Sequence, residues 1–317
     1  MDTLTGLVDG PRARGAFLLR SVLNPPWSLR IEDRAPLSLV TMIHGDAWIV
    51  PDVGSVAQLR PGEVAILRGP DPYSIADDPK TKPNVVIGEG QVCTVLSGPG
   101  IAAPRNLGIR TWGDGGSTVM LSGTYTMTSE IGQRLLSALP PVLVRGAGPD
   151  NALITLLANE ISKDDTGQEL VLDRILDLLL VTILRSWLGS PGAPAWYKAQ
   201  QDPVVGAALK LLHEDPAQQW TVASLATTTG VSRTALARRF TTLVGEPPMS
   251  YLTGLRIALA ADLLREPGAT LGAVARKVGY GSAFALSAAF KRVRGVSPQE
   301  HRTSASQRPT PIVPVMG

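Results

Sequence analysis

Arginine side chains recur at helical spacing in one short segment near the C-terminus. Arg238 shares a helix face with Thr234 and Thr241, and Arg233 lies at the start of the same helix. A guanidinium group can donate to phosphate or make two parallel hydrogen bonds with guanine in the major groove. The opposite face is apolar and is expected to be buried through Leu236, Phe240 and Leu243. The pattern indicates recognition of nucleic acid, and the alternative is a charged helix face that only contacts water.

A second segment downstream has the same apolar spacing but a different outward face. Its buried stripe is predicted to contain Leu286, Phe290 and Val293. Where the first segment has Arg238, the second has Ala288, so we expect the first to discriminate bases and the second to contact phosphates through Lys291 and Arg292. Phe284 could contact a thymine methyl group. The candidate DNA contacts are Ser232, Arg233, Thr234, Ala237, Arg238, Thr241, Ser282, Ala283, Phe284, Ser287, Ala288, Lys291 and Arg292.

The two segments belong to an internal repeat. Residues 221–251 return at an offset of 49 positions, which becomes 50 after the inserted Gly281. The matched pairs include Thr221 with Thr270, Ala226 with Ala275, Gly230 with Gly279, and Phe240 with Phe290. Each copy has an N-capping threonine, a small alanine where two helices approach, and a turn glycine before a second helix. The repeat therefore predicts two helix-turn-helix units.

Residues 249–266 lie between the two copies and have the pattern of an amphipathic helix. A helix of about 18 residues is about 27 Å long. That length suits two reading units about one DNA turn apart, roughly 34 Å, on one side of a duplex.

The stretches SLATTTGVSRTALARRFTTLVGEPPMSYL and VARKVGYGSAFALSAAFKRVRGVSPQEHR resemble the paired helix-turn-helix units of the AraC/XylS transcription regulators. The resemblance implies a sequence-specific regulator that binds double-stranded DNA, with activation and contact with RNA polymerase as the commoner role of the family. By position, the family's base-contacting faces fall on Arg233, Thr234, Ala237 and Arg238, and on Ala283, Phe284, Ser287 and Ala288. Ala288 is a departure, because many members have arginine in that segment.

The distribution of charge agrees with this interpretation. Residues 1–202 contain 17 Lys and Arg against 21 Asp and Glu, whereas residues 203–302 contain 12 against 6. Basic charge concentrated in one region is typical of a DNA-binding domain. The single cysteine, Cys93, excludes a disulfide-stapled secreted fold. No uninterrupted apolar run reaches the roughly 20 residues of a membrane span, so we expect a cytoplasmic protein without membrane contact.

The order of the patterns predicts an α+β chain. Short β-like runs separated by Gly and Pro come first, helical periodicity follows, and an all-α segment carries the repeat. The predicted parts are an antiparallel β-barrel over 1–127, a helical layer over 128–190, a linker over 191–202, the DNA-binding domain over 203–302 and a disordered tail over 303–317. The first 190 residues are similar to the cupin-type sensor domain common in the family, through LVTMIHGDAWI, LRPGEVAILRGPDPYSI and LPPVLV.

The predicted sensor domain lacks the residues of a metalloenzyme. Enzymatic cupins hold a metal with several histidines and a glutamate, but only His44 of this chain's three histidines lies in the barrel segment. We therefore expect no catalytic residues, no metal and no cofactor. A cupin enzyme with a nucleic-acid anchor is the disfavoured alternative. Candidate contacts to a small-molecule effector are His44, Trp48 and Tyr73, each of which could instead serve only packing. Cys93 could sense oxidants or be an inert small hydrophobe.

The segment from Leu170 to Leu188 predicts a helix that is apolar on several sides. Such a helix must be covered, either by its own barrel or by a second copy of the chain. The family resemblance favours a homodimer. A third functional hypothesis is a DNA-associated protein without sequence preference, because the second outward face has few groups that could read bases.

Overall fold

The computed structural model describes residues 17–96, 104–125, 136, 138–146 and 152–306. The chain divides between Trp187 and Leu188. The described residues before this point form an N-terminal unit of sheets and helices, and those after it form a C-terminal unit of helices. None of the described helices is both long enough and apolar enough to cross a lipid bilayer.

The strands of the N-terminal unit form two sheets. The strands are β1 (Phe17–Leu23), β2 (Ser28–Ile31), β3 (Leu37–His44), β4 (Ala47–Pro51), β5 (Ala57–Leu59), β6 (Glu63–Arg68), β7 (Tyr73–Ala76), β8 (Val85–Ile87), β9 (Cys93–Val95), β10 (Arg105–Gly108), β11 (Thr111–Gly113), β12 (Thr118–Tyr125) and β13 (Val142–Gly146). One sheet has the order β10-β11-β1-β12-β3-β6-β13, and the other has the order β5-β4-β7-β2-β8-β9.

The expected sheet-rich architecture is confirmed, but the strand pairing differs from a purely antiparallel barrel. β1 pairs in parallel with β11, and β2 pairs in parallel with β8. Among the described strands the two sheets remain open and do not close into a barrel. The difference arises because local sequence indicates where strands lie, whereas their partners are chosen by contacts far along the chain.

The hydrophobic core of this unit lies between the two sheets. Alternating side chains of both sheets meet there, among them Val40, Met42, Leu67, Ile49 and Ile75. The other face of the seven-stranded sheet is covered by helices α1 (Ala152–Glu160) and α2 (Gln168–Leu188). At this contact the buried Tyr125 hydroxyl donates to the carbonyl oxygen of Leu176 at 3.1 Å. The helical layer expected in this part of the chain is therefore present.

Helix α2 packs one side against its own sheet and leaves apolar side chains on the other. Leu176, Leu179 and Ile183 are buried, whereas Leu170 is 61% exposed and Leu178 is 53% exposed. The sheet of the same chain therefore covers one side of α2, and the exposed side could be covered by a second copy of the chain.

The predicted helical segment 128–190 also contains a strand, β13, which corrects the prediction. β13 pairs antiparallel with β6, from Val142 opposite Leu67 to Gly146 opposite Glu63. Its Val-Leu-Val run suits a strand because branched side chains pack well on a pleated surface. The first part of the predicted helical layer, residues 128–139, falls mostly outside the described residues.

The C-terminal unit is helical throughout its described length. Its helices are α3 (Ala195–Lys198), α4 (Pro203–Glu214), α5 (Val222–Thr228), α6 (Arg233–Val244), α7 (Pro248–Leu263), α8 (Leu271–Lys277), α9 (Ala283–Arg294) and α10 (Pro298–Ser306). A 3₁₀ turn, Ala199–Gln201, joins α3 to α4.

Both ends of this unit are more ordered than the sequence indicated. The predicted linker over 191–202 contains α3 and the 3₁₀ turn, which lie against α4 and α6, and Ala199 is fully buried in their core. Its Gly and Pro content reflects tight turns, not an open chain. The predicted disordered tail begins inside α10, which continues to Ser306, and residues 307–317 lie outside the described part.

Helix α7 contributes side chains to two separate hydrophobic cores. Tyr251 and Leu252 belong to the core around α4, α5 and α6, whereas Ile257, Ala260 and Ala261 belong to the core around α8 and α9. At about 100° per residue these two groups lie on roughly opposite sides of the helix. The prediction of a simple amphipathic helix was therefore wrong, because each half of α7 is buried on a different side.

Candidate nucleic-acid interface

The first helix-turn-helix consists of α5, a tight turn and α6. Thr221 caps α5 by a reciprocal pair of bonds, since its hydroxyl accepts from the Ser224 amide at 3.0 Å and Ser224 Oγ accepts from the Thr221 amide at 2.9 Å. The turn passes through Gly230 at φ 71°, a conformation that favours glycine. The Val231 amide then donates to the Ala226 carbonyl at 3.0 Å. These bonds hold α5 and α6 at a defined angle.

Ser232 starts the second helix, because its hydroxyl accepts from the Ala235 amide at 3.2 Å. Leu236 and Phe240 are buried as predicted, and Leu243 is half-buried against the same core. The outward residues Ser232, Arg233, Thr234, Arg238 and Thr241 are exposed, whereas Ala237 is half-buried. The sequence-predicted polar face of α6 is therefore accessible.

The arginines of α6 differ in what they contact. Among the described residues, the side chains of Arg233 and Arg238 form neither a hydrogen bond nor an ion pair. Arg239 instead binds Asp202, with Nη2 2.6 Å from Oδ2. Two guanidinium groups therefore remain available for a ligand, and the third is engaged within the protein.

The second helix-turn-helix, α8 and α9, repeats this geometry. The Thr270 hydroxyl accepts from the Ala273 amide at 3.2 Å, and the Ser282 hydroxyl accepts from the Ala285 amide at 3.1 Å. The turn contains Gly279 at φ 82°, and the Tyr280 amide donates to the Ala275 carbonyl at 2.8 Å. The repeat recognised in the sequence therefore returns the same cap and turn bonds, except for the return bond of Ser224, whose place is taken by Ala273.

The outward face of α9 carries little that could read a base by hydrogen bonds. Ser282, Phe284, Ala288, Lys291 and Arg292 are exposed, and Ala283 and Ser287 are half-buried. The Phe284 ring is 84% exposed, which is unusual for an aromatic side chain that serves only packing.

One residue of α9 was placed on the wrong side by the sequence pattern. Val293 is 47% exposed, whereas Ala289 is buried together with Leu286 and Phe290. The second core ends at Phe290, so the last turn of α9 extends past the side chains that would cover Val293.

The sequence reasoning missed two basic residues on the second unit. Arg276 and Lys277 are exposed in the last turn of α8. Their signal was available, since they are adjacent cations within the basic region. Cations in a last turn also interact favourably with the helix dipole, so their position alone does not make them DNA contacts.

Comparison with known proteins agrees with this architecture. Residues 2–189 match a family model described as cupin, and residues 225–304 match one described as a helix-turn-helix domain. A Streptomyces lividans protein named as an AraC-like transcription regulator is 33% identical over 310 residues, which are 95% of this chain and 98% of that protein. One from Streptomyces antibioticus is 36% identical over 310 residues, with the same coverage of both chains.

The chain belongs to the AraC-like transcription regulators. DNA is therefore the partner of its helix-turn-helix domain, and these two relatives are named as transcription regulators. Among solved structures it is similar to the DNA-binding domain of AdpA in complex with a target DNA, at 31% identity and a TM-score of 0.33, over 34% of this chain and 98% of that one.

The N-terminal unit of this AraC-like regulator does not bring the three candidate effector contacts together. His44 is exposed at the end of β3. Trp48 lies opposite Ala76, whereas Tyr73 lies opposite Pro51 in the same antiparallel pair. Because side chains alternate along a strand, Trp48 and Tyr73 lie on opposite faces of the sheet. Only Tyr73 points into the core between the sheets, where burial raises the pKa of its hydroxyl above the usual range.

Two tryptophans that the sequence analysis did not select lie in that same core. Trp27 and Trp112 are buried, and the indole N–H of each has no hydrogen-bond partner among the described residues. An isolated tryptophan in a sequence has no signal that would distinguish this environment from ordinary packing.

Other sensing chemistry has little support in the described residues. No group of three or more His, Cys, Asp or Glu side chains there lies close enough together to hold a metal ion. Cys93 is exposed on β9, and desolvation raises the pKa of its thiol. A raised pKa lowers the fraction of thiolate, which is the form that reacts with oxidants.

Proposed function

We propose that this AraC-like regulator binds a two-part DNA site with sequence specificity, and that the first helix-turn-helix supplies most of the base discrimination. The observation that carries the proposal is the contrast on α6. The guanidinium groups of Arg233 and Arg238 are exposed and make no hydrogen bond or ion pair among the described residues, whereas Arg239 is bound to Asp202. A guanidinium group without an internal partner can form its two bonds with guanine without first breaking a contact in the protein.

The second helix-turn-helix contributes mainly phosphate contacts in this proposal. Lys291 and Arg292 are exposed on α9, and Arg276 and Lys277 are exposed on α8. Phosphate contacts orient a protein on the duplex without reading sequence. Phe284 adds a contact to a thymine methyl group, the base feature that suits an apolar ring.

Effector sensing by the N-terminal unit is a second part of the proposal. The buried indole N–H groups of Trp27 and Trp112 support it, because a buried donor without a partner costs about 1–3 kcal/mol. A small molecule with acceptor oxygens would satisfy them. Of the three contacts predicted from sequence, Tyr73 fits this interior location, and His44 and Trp48 do not.

The proposal includes a homodimer that activates transcription through contact with RNA polymerase. The exposed apolar side chains Leu170, Val171 and Leu178 on α2, which flank the exposed Arg174, support self-association, because exposed apolar side chains are stabilised when a second surface covers them. Activation rests on the commoner role in the family, and a cytoplasmic location follows from action on DNA. Sedimentation as a monomer at micromolar concentration would contradict the dimer.

Binding-site selection from a random duplex library tests the central claim. The full-length protein is used at about 150 mM salt, and selected duplexes are sequenced. We expect a motif with two segments about one helical turn apart, the first more sharply defined. The selected duplex should bind at least about 10³-fold more tightly than random DNA. Equal affinity for both would favour the hypothesis of a nonspecific DNA-associated protein.

A further inference from the structure

The turn of the second helix-turn-helix lies directly against the loop between α4 and the first helix-turn-helix. Gly230 and Gly279 occupy matching positions in the repeat, at φ 71° and 82°. A Cβ atom added at Gly230 would meet nothing within 4 Å. A Cβ added at Gly279 would lie 2.4 Å from the Ala217 carbonyl oxygen and 2.8 Å from Arg256 Nη2. Only the second turn is thus packed against another segment.

Side-chain hydrogen bonds connect this turn, the loop that follows α4, and helix α7. Gln219 Nε2 donates to the Gly279 carbonyl at 2.8 Å. Arg256 Nε donates to the Pro216 carbonyl at 2.7 Å, and its Nη2 donates to the Gln218 carbonyl at 2.7 Å. We call Gln219, Arg256 and Gly279 the inter-unit clamp.

Arg256 also contacts the second unit directly. Its guanidinium carbon lies 5.8 Å from the centre of the Tyr280 ring, within the range of a cation–π interaction. Along α7, Arg256 falls between Leu252 of the first core and Ile257 of the second. It is therefore located where the buried side of α7 changes from one core to the other.

We propose that the inter-unit clamp fixes the spacing and angle between the two helix-turn-helix units, and that Gln219 and Arg256 are specificity-determining residues for the distance between the two DNA segments. This rests on the proposed two-part DNA site. Without the clamp, the two cores would be joined chiefly through α7, and bending or twisting of one helix would change their relative orientation. With the clamp, a second set of contacts on another segment opposes that motion.

A fixed spacing has a direct consequence for DNA. Inserting one base pair moves the second segment by about 3.4 Å and rotates it by about 35° around the duplex. A protein with clamped units must distort itself or the DNA to reach both segments. A protein with loosened units follows the displaced segment at lower cost.

The test measures affinity for a spacing series with full-length protein. The probes are the duplex selected by the wild-type protein and versions with one base pair inserted or removed between the segments. We expect the wild-type dissociation constant to rise about tenfold on either change. We call the dissociation constant for an altered duplex divided by that for the selected duplex the spacing ratio. In Gln219→Ala and Arg256→Gln, the spacing ratio should be at least about threefold smaller than in the wild type, because the loosened units reach the displaced segment.

Gln218→Ala is the matched control. Gln218 is an exposed glutamine in the same loop, and its clamp contribution is a backbone carbonyl that the substitution keeps. It should retain the wild-type spacing ratio. An unchanged ratio in both Gln219→Ala and Arg256→Gln would overturn the assignment. Because Gln219 is exposed, its substitution decides the matter if Arg256→Gln fails to fold.

A measurement without DNA separates the clamp from the proposed function. Spin labels are placed at Ala223→Cys on α5 and Ala273→Cys on α8, both exposed, in full-length protein carrying Cys93→Ser. We expect a single narrow distance distribution in this parent and in its Gln218→Ala version, and a broader one with Arg256→Gln or Gln219→Ala. An equally narrow distribution in both clamp variants would refute the clamp. If the wild type selects no DNA motif, the proposed function fails while this measurement still decides the clamp.

Discussion

Arg239 of α6 and Asp202, 37 residues earlier, form an ion pair in which Nε and Nη2 lie 2.7 and 2.6 Å from Oδ2. The other carboxylate oxygen of Asp202 caps α4, since Oδ1 accepts from the amides of Val204 and Val205 at 3.0 and 2.9 Å. One carboxylate thus holds the start of α4 and fixes α6 upon it. This contact separates Arg239 from its neighbour Arg238, which stays exposed.

The Asp202 contacts predict a specific dependence of stability on pH. Burial raises the pKa of Asp202, but hydrogen bonds from Val205, Arg239 and Val204 outweigh it and leave the pKa below the ordinary value of 3.8. The unfolded chain therefore takes up this proton first as the pH falls. The stabilisation is complete above the ordinary pKa and is lost as the pH falls through the lowered one.

Asp202→Asn should reduce that acid sensitivity while keeping the cap, because asparagine caps helices about as well as aspartate. Urea denaturation, followed by the circular dichroism signal of the helices, measures the free energy of unfolding between about pH 5 and pH 3. Asp71→Asn, at an exposed position in the loop before β7, is the control. The same loss of stability with acid in both variants would show that Asp202 does not contribute.

Arg238→Ala should weaken binding to the selected duplex by about 1–3 kcal/mol and relax the preference at one base pair. The fold should stay intact, because the guanidinium that is removed is exposed and makes no internal contacts. Arg239→Ala should instead lower the free energy of unfolding, because it breaks the Asp202 contact. Fluorescence anisotropy on selected and random duplexes makes the comparison. Equal weakening on both duplexes by Arg238→Ala would rule out base reading.

Lys291→Ala should weaken binding to all sequences alike. Each phosphate neutralised by a lysine contributes about 0.9 to the slope of log affinity against log salt, so that slope should decrease by about one. Lys210→Ala is the control, since Lys210 is an exposed lysine of α4 within 3.9 Å of Glu214. A change of sequence preference with Lys291→Ala would reassign this residue to base reading.

Phe284→Ala should weaken the preference for thymine in the second DNA segment. It should leave the free energy of unfolding within about 0.5 kcal/mol of wild type, because the ring is exposed. Phe290→Ala, on the buried side of the same helix, should cost about 3–5 kcal/mol. Thermal unfolding gives the stabilities, and duplexes with thymine replaced by uracil remove the methyl group. If wild type and Phe284→Ala respond equally to uracil, Phe284 does not contact a thymine methyl group.

Gly230→Ala and Gly279→Ala should differ in cost despite their matching positions. Both force alanine into a left-handed conformation, which costs about 1–2 kcal/mol. Gly279→Ala adds a clash with the Ala217 carbonyl, so it should destabilise the C-terminal unit more. Denaturant midpoints compare the two variants. Equal midpoints would mean that the loop beside Gly279 moves aside without cost.

Much of the C-terminal unit could be predicted from sequence because its signals are local. The helix caps and turns depend on backbone groups within a few residues, and the repeat provides each of them twice. The caps are Thr221 and Thr270, and the turn glycines are Gly230 and Gly279. The exposed face of α6 follows from helical periodicity. The prediction failed at Val293, where exposure depends on the length of neighbouring helices and not on the period.

The N-terminal unit was less predictable. Its strand-rich character follows from the Gly and Pro spacing, but the parallel pairing of β1 with β11 and the return of β13 to the sheet join distant segments. The candidate effector contacts illustrate the same limit. Trp48 and Tyr73 are both aromatic residues of strands, yet the register of β4 on β7 places them on opposite faces.

By itself, the amino-acid sequence determined the two helix-turn-helix units, their caps and turns, and the polar face that carries Arg233 and Arg238. Those features depend on interactions within one or two helical turns. Tertiary structure alone decided that Arg239 binds Asp202 and that α7 is buried on opposite sides in its two halves. The tertiary structure also packs Gly279 against the loop that Arg256 binds through the Pro216 carbonyl. Each of these contacts joins residues that no local pattern links, and close packing of whole elements selects them.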